Sequence, residues 1–194
     1  MNTVPEYKLK ELIAPFIASV AEGKTEIYNE FSLQHELGVF LRRNLVGAKV
    51  QFERNVSFFF QSKANFTKRE LDISVFSNDK SNLILAIELK YPRNGQHPEQ
   101  MFSFCKDIAF TEELVISGFS GAVLIIFADD PLFYRGSTEG IYGFFRGGRA
   151  LHGHIQKPTG KKDDEVIIRG SYFVDWEPIF GTLKYSIIEV NPLV

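Results

Sequence analysis

Asp72, Glu88 and Lys90 are the residues of this chain whose types and spacing suit joint chemistry. They lie in RELDISVFSNDKSNLILAIELK, residues 69–90, which reads as two strands joined by a polar turn. Side chains along a strand alternate faces. Glu88 and Lys90 therefore share one face of the second strand, and Leu85, Ile87 and Leu89 the other. On the first strand Asp72 shares a face with Glu70 and Ser74, opposite Leu71, Ile73 and Val75. Two carboxylates and an ammonium group can thus converge on one side of a hairpin. Such a set suits a hard divalent cation and an activated water. The ordinary alternative is a solvated hairpin face. Against it, Ile84 and Ala86 share the face of Glu88 and Lys90, so the second strand begins apolar on both sides. That marks an interior strand, where charge is costly unless it is paired or metal-bound.

The elements that must position these residues are legible to different degrees. Leu9, Leu12, Ile13, Phe16, Ile17 and Val20 follow helical spacing, with Pro15 as a kink or boundary. A second helix is expected from an N-cap at Ser32 to Leu45, with Gly47 beyond it. Glu36 borders its apolar stripe of Leu33, Leu37, Phe40, Leu41 and Leu45. It either faces the site or pairs with Arg43 or Lys49. Val50 to Phe60 alternates as a strand. After the hairpin, Pro98 opens a helix with Met101, Phe104, Cys105 and Ile108 on its apolar face, ending near Gly118. Ala122 to Ala128 is apolar throughout, the profile of a buried parallel strand. Strands over Val166–Trp176 and Leu183–Val190 are expected to extend the sheet or pack on it.

The order helix, three strands, helix, strand, with Asp on the second strand and Glu-x-Lys on the third, resembles the PD-(D/E)XK nuclease superfamily over residues 26–130. The resemblance implies a restriction-endonuclease-like αβββαβ core, a central mixed sheet flanked by helices. Residues 1–25 would add an N-terminal helix, and 131–194 a basic Gly-rich loop and further strands, all in a single domain. Leu71 stands where the family often has Pro. By the same resemblance Glu36 matches the glutamate that members carry on the helix before the sheet. Gln100, or less readily Gln96, matches the glutamine after the lysine strand.

The implied activity is metal-dependent hydrolysis of phosphodiester bonds in DNA, with Mg²⁺ or Mn²⁺ as cofactor. Asp72 and Glu88 would be ligands, with the Leu89 carbonyl as a third. Glu36 would hold a second ion or a metal water, and Gln100 would orient Lys90 or a phosphate oxygen. Lys90 would orient the water, stabilise developing charge or donate a proton, and the sequence does not choose. Glu70 is a reserve ligand, read first as a solvated carboxylate. Two other classes compete: a binding module for nucleic acid or protein that keeps the fold without turnover, and a phosphohydrolase acting on a small molecule.

The formal net charge of −2 over 194 residues gives no overall signature of nucleic-acid binding, so basic contacts must be local. The one concentration is the Gly-rich stretch holding Arg146, Arg149, Lys157, Lys161 and Lys162. A solvated loop with no partner is the equal alternative. His152 and His154 in the same stretch are read as part of a mobile polar loop, since no convincing third metal ligand accompanies them. His35 and His97 are read as cap or surface residues. The single cysteine, Cys105, excludes an internal disulfide framework and is expected in the core. The amino-terminal stretch lacks a signal-peptide core, and no apolar run is long enough for a bilayer. A soluble cytoplasmic protein is expected, and whether it is a monomer or a homodimer stays open.

Overall fold

The computed structural model describes residues 9–60, 66–93, 95–160 and 164–192. Its first helices are α1 (Leu9–Ala21) and α2 (Glu30–Asn44). β1 (Ala48–Asn55), β2 (Glu70–Ser77) and β3 (Leu83–Lys90) follow, then α3 (His97–Ser117) and β4 (Ala122–Ala128). A short helix α4 (Tyr142–Arg146) precedes β5 (Leu151–Gln156), β6 (Glu165–Tyr172), β7 (Glu177–Phe180) and β8 (Leu183–Val190). Six strands form one mixed sheet in the order β1-β2-β3-β4-β8-β7. β3 and β4 run parallel, and the other neighbouring pairs are antiparallel. The parallel pair needs a long crossover, and α3 supplies it.

Helices cover both faces of this sheet. Ile13, Phe16, Leu33 and Leu37 of α1 and α2 pack with Ile73, Ile87, Leu89, Val123, Ile125 and Phe127. On the opposite face Phe104, Cys105 and Ile108 of α3 pack with Leu124 and Ile126. β4 is buried along its whole length because its alternate side chains enter two different cores. Burying each such Val, Leu, Ile or Phe contributes roughly 1.5–3 kcal/mol, so a charge on this strand would find no tolerant face. β5 and β6 form a separate two-stranded sheet, whose Leu151, Ile155, Val166 and Ile168 join the α3-side core. Among the described residues no helix is long and apolar enough to cross a membrane.

Three local expectations are corrected. The cap of α2 is Asn29 rather than Ser32: Asn29 Oδ1 accepts the Ser32 amide at 2.7 Å, and Ser32 Oγ accepts the Asn29 amide at 3.0 Å. The reciprocal pair starts the helix earlier and places Glu30 in its first turn. The first expected strand ends at Asn55, and Val56–Phe58 form a 3-10 turn. The described part of the Gly-rich stretch holds α4 and β5, which pairs with β6, instead of a mobile loop.

α2 meets β1 at Gly38, where any Cβ would overlap the Phe52 ring. Gly38→Ala would gain about 1 kcal/mol in helix propensity. Overpacking against a ring that also lies under Arg42 costs about 1–3 kcal/mol. Net destabilisation of up to about 2 kcal/mol is therefore expected in urea denaturation. An unchanged or raised midpoint would show that Phe52 moves aside freely.

Candidate active site at the splayed end of β2 and β3

The β2–β3 ladder pairs Ile73 with Ile87. One residue further on, side chains take over the backbone groups. The Asp72 amide donates to Glu88 Oε1 at 3.3 Å, and the Leu89 amide donates to Asp72 Oδ2 at 2.7 Å. The Asp72 carbonyl accepts Gln34 Nε2 of α2 at 2.9 Å. The same nitrogen reaches Glu53 Oε1 at 2.5 Å. Glu53 lies between the paired residues Phe52–Ile73 and Arg54–Leu71 and has φ 47°, a left-handed conformation uncommon for a glutamate. Asp72 is thus freed from regular pairing on both sides, and its unladdered backbone groups are satisfied by Glu88 and Gln34. A buried backbone requires such partners.

Asp72, Glu88 and Lys90 come together as the period-two pattern requires. Three residues not expected there join them. Lys68, just before β2, lays its ammonium against Glu88 Oε2 and, at 2.9 Å, against Asp107 Oδ1 of α3. Lys90 Nζ stands 3.6 Å from Asp107 Oδ2 and 3.4 Å from Glu30 Oε1. Glu30 Oε2 accepts the Tyr91 amide at 3.1 Å. The charges therefore alternate, from Glu30 through Lys90, Asp107 and Lys68 to Glu88.

Burial sets the electrostatics. Glu88 is fully buried and Asp107 is 2% exposed. Desolvation, reinforced by the Asp72 charge, raises the Glu88 carboxyl well above its ordinary range, and Lys68 pulls against the shift. Desolvation also raises Asp72 to about 6, opposed by Lys90 and the Leu89 hydrogen bond. Burial alone would lower both lysines. The surrounding carboxylates outweigh it, so Lys68 and Lys90 are held above the ordinary lysine value and stay protonated.

The remaining expected residues are placed elsewhere or less closely. Glu36 is half-buried and pairs with His35 at 3.1 Å, away from this network. Glu30, rather than Glu36, is the α2 carboxylate that meets Lys90. Gln100 lies in the first turn of α3, half-buried, two helical turns before Asp107 on the same side. The partners of Lys90 are Glu30 and Asp107 rather than Gln100. Glu70 is exposed, as a solvated strand-start carboxylate would be.

Arg146 donates to the carbonyls of Ser137 and Leu132, and Arg149 to that of Gly140. They lie over the Tyr142 and Phe144 rings at 3.8 and 3.9 Å. Both guanidinium groups thus brace their own loop. Lys157 stands 3.9 Å from Glu99, and Lys161 and Lys162 lie outside the described residues. His152 and His154 stand on β5, bonded to the Gly170 carbonyl and Glu165. His97 bonds Asp130 at 2.6 Å.

Signals for two of the missed residues were present in the sequence. The Asn29–Ser32 capping pair placed Glu30 at a helix start, and Asp107 interrupts an apolar helical pattern. Lys68 carried no local signal.

Among the described residues no three or more His, Cys, Asp or Glu side chains stand where they could hold a metal ion together. Mg²⁺ commonly takes only one or two protein carboxylates, with water and substrate oxygens completing its shell. Asp72 and Glu88 meet that need by donor type. Asp107 Oδ2, buried without a hydrogen-bond partner among the described residues, is a further hard oxygen facing the same cations. Compared with family models, curated proteins and solved structures, the chain matches none.

Proposed function

We propose that this chain is a metal-dependent nuclease of the PD-(D/E)XK superfamily, hydrolysing phosphodiester bonds in DNA with Mg²⁺ or Mn²⁺. The observation that carries the reading is the opening between β2 and β3. There Asp72 and Glu88 take up backbone amides in place of the ladder, with Lys90 on the same strand as Glu88. The order β1-β2-β3-β4-β8, with β3 and β4 parallel across α3, supports a restriction-endonuclease-like core. Bound between the carboxylates, the ion would supply Lewis-acid charge to the scissile phosphate.

The chain's own residues do the rest. The Leu89 amide holds the Asp72 carboxylate in place. Lys90 remains an ammonium group, oriented by Glu30 and Asp107 and able to donate to a phosphate oxygen. Gln34 fixes the Asp72 backbone from α2.

A second reading, a nucleic-acid-binding module without turnover, is favoured by one observation: the Lys68 ammonium already sits against Glu88 and Asp107. The two are separated by incubating the protein with single-stranded and duplex DNA and RNA, with Mn²⁺ or with EDTA. Mn²⁺-dependent cleavage that vanishes with EDTA is expected. Retention of DNA without cleavage at any Mn²⁺ concentration would favour the second reading.

A further inference from the structure

We propose that Glu88 and Asp107 form a second cation seat, which Lys68 fills as a tethered counter-ion and which a divalent ion enters by displacing it. The inference rests on reading Asp72 and Glu88 as metal carboxylates, and it adds a ligand on α3 and a condition for entry. The two carboxylates are fixed from below: Glu88 is on an interior strand, and Asp107 is on the helix packed over it. Both are almost wholly buried, whereas the Lys68 side chain is 31% exposed. The ammonium therefore enters from the solvent side and can leave by the same route.

The backbone beside Lys68 is anchored independently. The Thr67 amide donates to Glu113 Oε2 at 2.7 Å, and Phe66 stacks on Phe60. The Lys68 ammonium also lies over the Phe110 ring face, 5.5 Å from its centre. A rotation of its long side chain is enough to vacate the seat.

Charge and valence favour exchange. Asp72, Glu88, Asp107 and Glu30 set four carboxylates against the ammonium groups of Lys68 and Lys90, an excess of two negative charges when all are ionised. With Lys68 displaced the excess is three, of which a divalent ion leaves one where the ammonium leaves two. Among the described residues Asp107 Oδ2 has no hydrogen-bond partner although it is buried. Such an oxygen is costly to leave unmatched, and an inner-sphere ion would satisfy it. Occupancy is mutually exclusive. A divalent ion approaches carboxylate oxygens to about 2.1 Å, and the Lys68 ammonium already contacts oxygens of both side chains.

The test is Mn²⁺ binding by calorimetry to the wild type, Lys68→Met, and Lys68→Met combined with Asp107→Asn. Lys68→Met is expected to bind Mn²⁺ at least tenfold more tightly, and Asp107→Asn to cancel most of that gain. Equal affinity in wild type and Lys68→Met overturns the counter-ion role while leaving the Asp72–Glu88 metal site standing. No Mn²⁺ binding by either protein overturns both. Should Lys68→Met fold poorly without metal, acylation of wild-type lysines followed by peptide mass spectrometry reads the same event. Lys68 modification is expected to rise severalfold when Mn²⁺ saturates the protein. Unchanged modification at saturation overturns the proposal.

Discussion

Asp72→Asn is expected to stabilise the metal-free protein at pH 7.5 while removing its cleavage activity. Burial holds the Asp72 carboxyl at about 6 against an ordinary 3.8. A gap of about two pH units corresponds to about 3 kcal/mol. The sign follows from which state loses its proton first. Below pH 3.8 both states keep the proton, and folding bears no cost. From 3.8 to about 6 the unfolded chain ionises first, so stability falls as pH rises. Above 6 the full cost persists.

Asparagine keeps the shape and can still accept the Leu89 amide, but it carries no charge to desolvate. The attraction to Lys90 is already counted in that shift, so a net gain of up to about 3 kcal/mol is expected. The gain should be absent at pH 3.5, develop up to pH 6 and stay level beyond it. Denaturant titrations across that range read it directly. The same substitution removes a metal carboxylate, a loss of several kcal/mol of transition-state stabilisation, or roughly a thousandfold in rate. A variant less stable than wild type at pH 7.5 would mean that ionised Asp72 holds the fold together. A variant that cleaves normally would move the chemistry elsewhere.

Lys90→Met is expected to lower turnover by roughly a hundredfold or more and to leave Mn²⁺ affinity equal to wild type or higher. The ammonium is the only part removed, since methionine preserves most of the buried stem. A positioned donor to developing phosphate charge carries about 3–4 kcal/mol, which sets that scale. Affinity is not expected to fall, because an ammonium repels the ion it sits beside. Stability should drop by about 1–3 kcal/mol, as Asp107 is buried and loses a neighbouring cation. Glu36→Gln serves as the control: its carboxylate pairs with His35, and it should change neither quantity. Single-turnover rates at saturating Mn²⁺ separate the effects. A wild-type rate for Lys90→Met would leave the lysine as a structural counter-charge to Glu30 and Asp107.

What could be read without the structure was whatever depends on neighbours in the chain. Period-two alternation placed Asp72, Glu88 and Lys90 together because a hairpin's register is local. The uniformly apolar Ala122–Ala128 announced a strand covered on both faces, since a half-exposed strand would alternate. Glu36 was misjudged by rotation. Leu33, Leu37 and Leu41 face the core, and Glu36 is turned about 100° from Leu37, far enough to reach solvent. The Gly-rich stretch was misjudged because its apolar residues find their partners on α3, β4 and the small sheet, far away in the chain.

The sequence by itself thus determined the order of elements from α1 to β4 and the two carboxylates and lysine of one hairpin. Only the tertiary structure decided that Lys68, Asp107 and Glu30 complete the site. They come from a loop and two helices, and their meeting depends on strand order, helix rotation and side-chain reach. It also depends on the long-range balance between desolvating a carboxylate and supplying it with a cation, which no local pattern encodes.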